Sequence, residues 1–153
     1  MTEDNPGVLV FPPLLFSICV LAGLILHFTM GVHAAFPMWV RLGGVALGIA
    51  SMAFAWWAQR VMRAAGTNIH PGQPTTAIVE QGPFAHTRNP LYLSLTLLFV
   101  GIGIALASPA FLALLLPFVA ILRWGVIARE ERYLDAKFGD TYRSYKARVR
   151  RWV

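Results

Sequence analysis

Apolar runs of membrane-crossing length alternate along this chain with short polar stretches. Residues 12–30, 37–57, 91–107 and 110–128 carry no acidic side chain, and their charges are limited to Arg41 and Arg123. A bilayer core takes about 20 apolar residues per helix, because each backbone N–H and C=O must be satisfied within the segment. The pattern predicts four transmembrane helices. Ser108 and Pro109 alone join the last two runs, so these form an antiparallel helical hairpin, with a kink expected at Pro117. The expected fold is all-α: one polytopic membrane domain spanning residues 1–153, with a C-terminal hairpin capped by a loop and a tail. A cleaved leader is the competing reading of the first run. Its amino-terminal flank holds Glu3 and Asp4 and no basic residue, which argues for a retained span.

Two polar regions remain, the connection at residues 60–90 and the tail at 129–153. Gly66, Pro71, Gly72, Pro74, Gly82, Pro83 and Pro90 break any long helix in the connection. Ile69, Ala77, Ile78, Val79 and Phe84 give it apolar groups with which to pack on the membrane face. Arg60, Arg63 and Arg88 lie in the connection and eight of the 13 basic residues lie in the tail. An even number of spans puts both regions on one side, which the positive-inside rule makes cytoplasmic, together with both termini. Trp39, Trp56, Trp57 and Trp152 suit interfacial anchoring.

Composition agrees: 57% of residues are apolar and 13% charged, whereas a soluble domain carries about 25% charged residues. The net charge of +6 would suggest nucleic acid in a soluble chain. Its clustering at one end makes it topology and contact with anionic lipid instead, and no nucleic-acid partner is expected. Cys19 stands alone in an apolar run, and four scattered histidines show no ligand spacing, so no metal site is expected. His27 and His70 read as hydrogen-bonded or surface residues.

The fourth run continues past the membrane as Arg129-Glu130-Glu131-Arg132-Tyr133-Leu134-Asp135, all compatible with helix, until Gly139 offers a stop. Glu130 and Glu131 have no Lys or Arg three or four positions away, so helical ion pairing does not account for them. Either both are solvated, or one faces a pocket and binds a cation or a hydroxyl pair. Beyond them Leu134, Phe138, Tyr142, Tyr145, Val149 and Trp152 recur at helical spacing among basic residues. That pattern predicts an amphipathic segment lying on lipid with its aromatic face down. Arg123 lies about 10 Å deeper than Glu130 at 1.5 Å per residue, where it faces the bundle or snorkels.

The stretch Gly82-Pro83-Phe84-Ala85-His86-Thr87-Arg88-Asn89-Pro90-Leu91-Tyr92 and the later Glu130, Glu131, Leu134, Phe138, Gly139, Tyr142 and Tyr145 form a pair of motifs. In order and spacing they resemble those of the isoprenylcysteine carboxyl methyltransferase family and the related phospholipid methyltransferases. The resemblance implies an integral membrane methyltransferase using S-adenosylmethionine without a Rossmann domain. It places the cofactor at the cytoplasmic ends of the last two spans, with Gly82, His86, Arg88, Asn89, Pro90, Tyr92, Glu130, Glu131 and Leu134 around it. Gly43, Gly44 and Gly48 lie in the second span, where small residues permit close helix packing. Departures from the family pattern are Asn89 where many members have His, and Ala85 and His86 where a basic and aromatic pair is usual.

A sulfonium is already an activated methyl donor, so the protein must align a nucleophile and exclude water. A carboxylate acceptor needs no base and favours positioning by Arg143 or Arg148, with Tyr142 beside them. This carboxyl O-methylation is the favoured expectation, and N-methylation of a phospholipid amine would instead require a proton acceptor. A lipophilic or lipid-anchored acceptor would enter sideways from the bilayer, with Arg123 and Tyr145 as its contacts. Two other classes compete, an NADPH-dependent membrane reductase of the sterol reductase type and a small non-enzymatic four-span protein.

Overall fold

The computed structural model describes residues 6–70 and 73–153, and among them all regular structure is helical. Helix α1 spans Pro12–Met30, α2 Met38–Ala64, α3 Pro90–Ala105 and α4 Pro109–Ile121. Leu122–Ile127 forms a π-helical segment, followed by α5 (Ala128–Phe138) and α6 (Asp140–Arg148). A single 3₁₀ turn, Gly82–Ala85, sits in the connection. Proline marks the first turn of α1, α3 and α4, where its missing N–H costs nothing. Gly31 closes α1 in a left-handed conformation, with its N–H bonded to His27 O.

Three stretches are long and apolar enough to cross a membrane: α1, α2, and the continuous rod of α4, π-segment and α5 over Pro109–Phe138. The third expected span, α3, is apolar but 16 residues long, about 24 Å at 1.5 Å per residue. The expected hairpin is present, since α3 packs against α4 across the Ser108 turn. Two boundaries move. α2 runs on to Ala64, so Arg60 and Arg63 lie on its last turns rather than in a loop. The irregularity in the fourth run falls at residues 122–127, five positions beyond Pro117.

Helix packing explains which residues are small. α3 runs along α2, and a Cβ on Gly44 would lie 2.6 Å from Ala105 N and 2.8 Å from Gly101 O. A Cβ on Gly101 would in turn lie 2.8 Å from Gly44 O and 2.9 Å from Gly48 N. The two backbones therefore touch where only hydrogen side chains fit, as in small-residue membrane interfaces. Gly43 faces open space and takes no part. Arg41 Nε donates to Ala105 O at 2.9 Å across the same pair of helices. On the other side of α3 lies the apolar core of Leu15, Phe99, Phe111, Phe118, Leu122 and Val126. Phe99 there stacks on Phe118 with ring centres 5.1 Å apart. α1 packs on α4 and more lightly on α3. Its outer stripe of Leu14, Ile18, Leu21 and Ile25 is exposed, as are Leu42, Val45, Ile49 and Met52 on α2. These stripes suit contact with lipid tails.

Candidate functional site

At the polar end of the bundle the connection and the tail fold against each other. Gly139 breaks the helical tail with φ +52°, a conformation that favours glycine, and α6 turns back. Tyr142 and Tyr145 are then buried, at 2% and 4% exposure. The aromatic face of the tail therefore packs on protein, not on lipid as its spacing predicted. Tyr145 donates its hydroxyl to Phe84 O at 2.8 Å. The last residues are fastened by their backbone: Arg150 O accepts from Arg88 N–H at 3.0 Å. Arg151 O accepts from Asn89 Nδ2 at 2.9 Å and from Thr87 Oγ1 at 3.2 Å.

Glu131 is the centre of this clasp. Its side chain, 9% exposed, takes Arg88 Nη1 at 3.0 Å on one side. Arg151 grips it through Nε at 2.9 Å and Nη2 at 2.6 Å on the other, a two-bonded fork. Arg88 Nη1 also reaches the Tyr142 hydroxyl at 3.4 Å. Burial raises the Tyr142 phenol above its ordinary pKa, and the Glu131 charge adds to this while Arg88 opposes it. Burial pushes Tyr145 well above the usual phenol range, with Tyr142 adding to the shift. Both therefore stay protonated at neutral pH and act as hydroxyls, not bases.

Glu130 behaves differently from its neighbour. It is half-buried, and its Oε1 accepts from the Tyr92 hydroxyl at 2.6 Å, a charge-assisted length. No positive group pairs with it among the described residues. Arg88 shows the complementary feature, since its Nε is buried without a hydrogen-bond partner among them.

These groups line one cavity of about 130 Å³. Of the residues expected at a cofactor site, Arg88, Asn89, Pro90, Tyr92, Glu130, Glu131 and Leu134 line it, as do Tyr142 and Tyr145. Ile69, Ile78, Val79 and Phe84 from the connection give it an apolar wall.

The remaining expected residues lie elsewhere. Arg143 is exposed and held by Asp135 and Asp140 at 3.0 and 3.1 Å. Arg148 pairs with Glu80 at 2.6 Å. Arg123 is exposed with its guanidinium 5.9 Å from the Trp124 ring, which fits the snorkelling alternative. His86 is exposed and away from the cavity. Gly82 serves the turn: its φ is +58°, and a Cβ there would lie 3.0 Å from Val61 on α2. Sequence reasoning missed Pro6, Met62, Thr75 and Tyr133, which also line the cavity. None of these four carries a local pattern that marks it, although Tyr133 adjoins the acidic pair.

Fold and site together define an all-helical integral membrane protein with a polar, carboxylate-bearing cavity at one end of its helices. The chain matches the phospholipid methyltransferase family over residues 39–141 and belongs to that family. An uncharacterised protein of Haemophilus influenzae is 45% identical over 64 residues, 41% of this chain and the whole of that protein. Family membership makes the protein a membrane methyltransferase, and both cavity-lining motif segments, 82–92 and 130–134, fall within the matched residues.

Proposed function

We propose that the protein transfers a methyl group from S-adenosylmethionine to a lipophilic acceptor, with the cavity facing the cytoplasm. The observation that carries this reading is a pair of incompletely satisfied groups lining the cavity, Glu130 without a cation and Arg88, paired with Glu131 but with its Nε lacking a hydrogen-bond partner among the described residues. The cofactor bears the complementary charges, an α-carboxylate for the Arg88–Asn89 side and an ammonium or ribose diol for Glu130. Bound there it supplies an electrophilic methyl carbon. The apolar wall of Ile69, Ile78, Val79 and Leu134 suits an adenine ring and keeps water from the reacting atoms. Tyr92 holds the Glu130 carboxylate, and the Glu131 clasp holds Arg88, before any ligand arrives.

The positions of the arginines support an amine over a carboxylate head on the acceptor. Carboxylate positioning relied on Arg143 or Arg148, and both are engaged in surface ion pairs outside the cavity. Arg88, the one arginine lining the cavity among the described residues, is taken up by the cofactor in this reading, which leaves no arginine for an acceptor carboxylate. The cytoplasmic orientation is supported by Arg60, Arg63, Arg88 and the basic tail sharing one end of the bundle.

The test is calorimetric titration of protein in lipid nanodiscs with S-adenosylhomocysteine and NADPH, followed by incubation with labelled S-adenosylmethionine and lipid extract. Saturable binding of S-adenosylhomocysteine and label in the lipid phase are expected. Binding of NADPH without S-adenosylhomocysteine would overturn the reading. Label released as methanol by mild base would return the acceptor to a carboxylate.

A further inference from the structure

Residues 6–11 precede the family-matched stretch, so family membership assigns them no role. They are nonetheless built into the site. Pro6 lines the cavity, and Arg129 Nη1 donates to Gly7 O at 3.1 Å. Leu9 N–H donates to Gly125 O at 3.0 Å, a carbonyl of the π-helical segment. Val8 and Val10 pack on the apolar core. Phe11, the residue capping α1, stacks on His70 of the connection with ring centres 4.8 Å apart and planes 15° from parallel.

That stack joins two elements that otherwise stand apart. α1 packs on α4 and α3, α2 packs along α3, and no packed interface joins α1 to α2 among the described residues. Pro6 from the strap before α1 and Met62 from the end of α2 both reach the cavity. His70 lines the cavity as well, so the Phe11–His70 stack lies at the cavity's edge, on the side where α1 and α2 do not pack together. The cavity at this edge measures about 130 Å³, against about 300–1,000 Å³ for ordinary ligand pockets. A ligand of ordinary size therefore extends beyond it.

We propose that residues 6–11 are the lipid-side gate of the cavity, latched by the Phe11–His70 stack. An acceptor with a nucleophilic head and an apolar chain enters by parting that stack, leaving its chain between α1 and α2. The identity of the acceptor rests on the methyl-transfer reading; the gate does not.

The test reads access directly and needs no methyl transfer. In a Cys19→Ser background, Ala77→Cys places a single thiol on the cavity wall. Its labelling in nanodiscs is timed with the bilayer-partitioning N-pyrenylmaleimide and with a charged sulfonate methanethiosulfonate. Adding Phe11→Ala or His70→Ala is expected to speed the pyrene reagent about tenfold, the scale of losing one aromatic stack. The charged reagent should be little affected, and Phe11→Tyr, which keeps the stack, should match the parent. Unchanged pyrene labelling, or equal acceleration of both reagents, overturns the gate. Failure of the parent to bind S-adenosylhomocysteine overturns the methyltransferase reading and leaves the labelling result standing.

Discussion

Glu131→Gln removes one charge from the clasp while keeping the side chain's volume. The Arg88 and Glu131 side chains are each 9% exposed and 3.0 Å apart. At an effective dielectric constant of about 20, that separation corresponds to roughly 5 kcal/mol of gross attraction. The net cost of leaving one member of a buried pair unmatched is about 3–5 kcal/mol. Arg151 is 30% exposed, so water recovers part of its loss, and the lower figure is the one to expect. About 3 kcal/mol is a factor of about 150 in the population of the opened tail. Hydrogen exchange in nanodiscs reads this at a specific probe, the Arg88 amide bonded to Arg150 O. Its protection should fall about a hundredfold while amides within α3 stay protected. Protection at Arg88 equal to that of the parent would show that the ion triad does not hold the tail, and the reasoning would fail.

Tyr92→Phe removes the 2.6 Å hydrogen bond to Glu130, worth about 1.5 kcal/mol. Titration should show S-adenosylhomocysteine bound at least about tenfold more weakly, with the fold intact by circular dichroism. Gly101→Leu should cost about 1–3 kcal/mol by forcing α2 and α3 apart, since a Cβ there already meets backbone at 2.8 Å; thermal unfolding in detergent checks it. Tyr145→Phe removes the bond to Phe84 O and should lower stability by about 1 kcal/mol at neutral pH. Because burial raises the Tyr145 pKa in the folded state, its stabilisation is whole below the unfolded value of about 10 and declines above it. Denaturation curves between pH 9 and pH 11, values that bracket about 10, should therefore fall less steeply in Tyr145→Phe than in the parent.

What the sequence disclosed followed from short-range constraints. Apolar run length placed the helices, and the two-residue turn at Ser108 and Pro109 made the hairpin unavoidable. The missing helical partners of Glu130 and Glu131 marked both as unusual. Where the partners would come from was not legible: Arg88 and Arg151 lie 43 and 20 positions from Glu131, and no local pattern reports such pairing. For the same reason the tail's aromatic stripe was read onto lipid. A helical stripe says that a face is buried, not what covers it. Arg143 and Arg148 were drawn toward the site by their motif neighbourhood, yet each had a nearer acidic partner in space. Residues 6–11 are too few to show any period, so their course over the cavity could come only from the tertiary structure.

The π-helical segment at Leu122–Ile127 has a consequence for the evolution of this chain's length. A π-turn fits one residue more than an α-turn into a single revolution, so it absorbs an added residue locally and leaves the helix beyond it facing as before. Had the same residue been added to a regular α-helix, everything after it would have turned by about 100°, carrying Glu130 and Glu131 away from Tyr92 and Arg88. The segment therefore acts as a buffer for chain length between the apolar core at Phe118 and the acidic pair. A homologous chain without the added residue would be expected to run α-helical here and to keep its acidic pair on the same face.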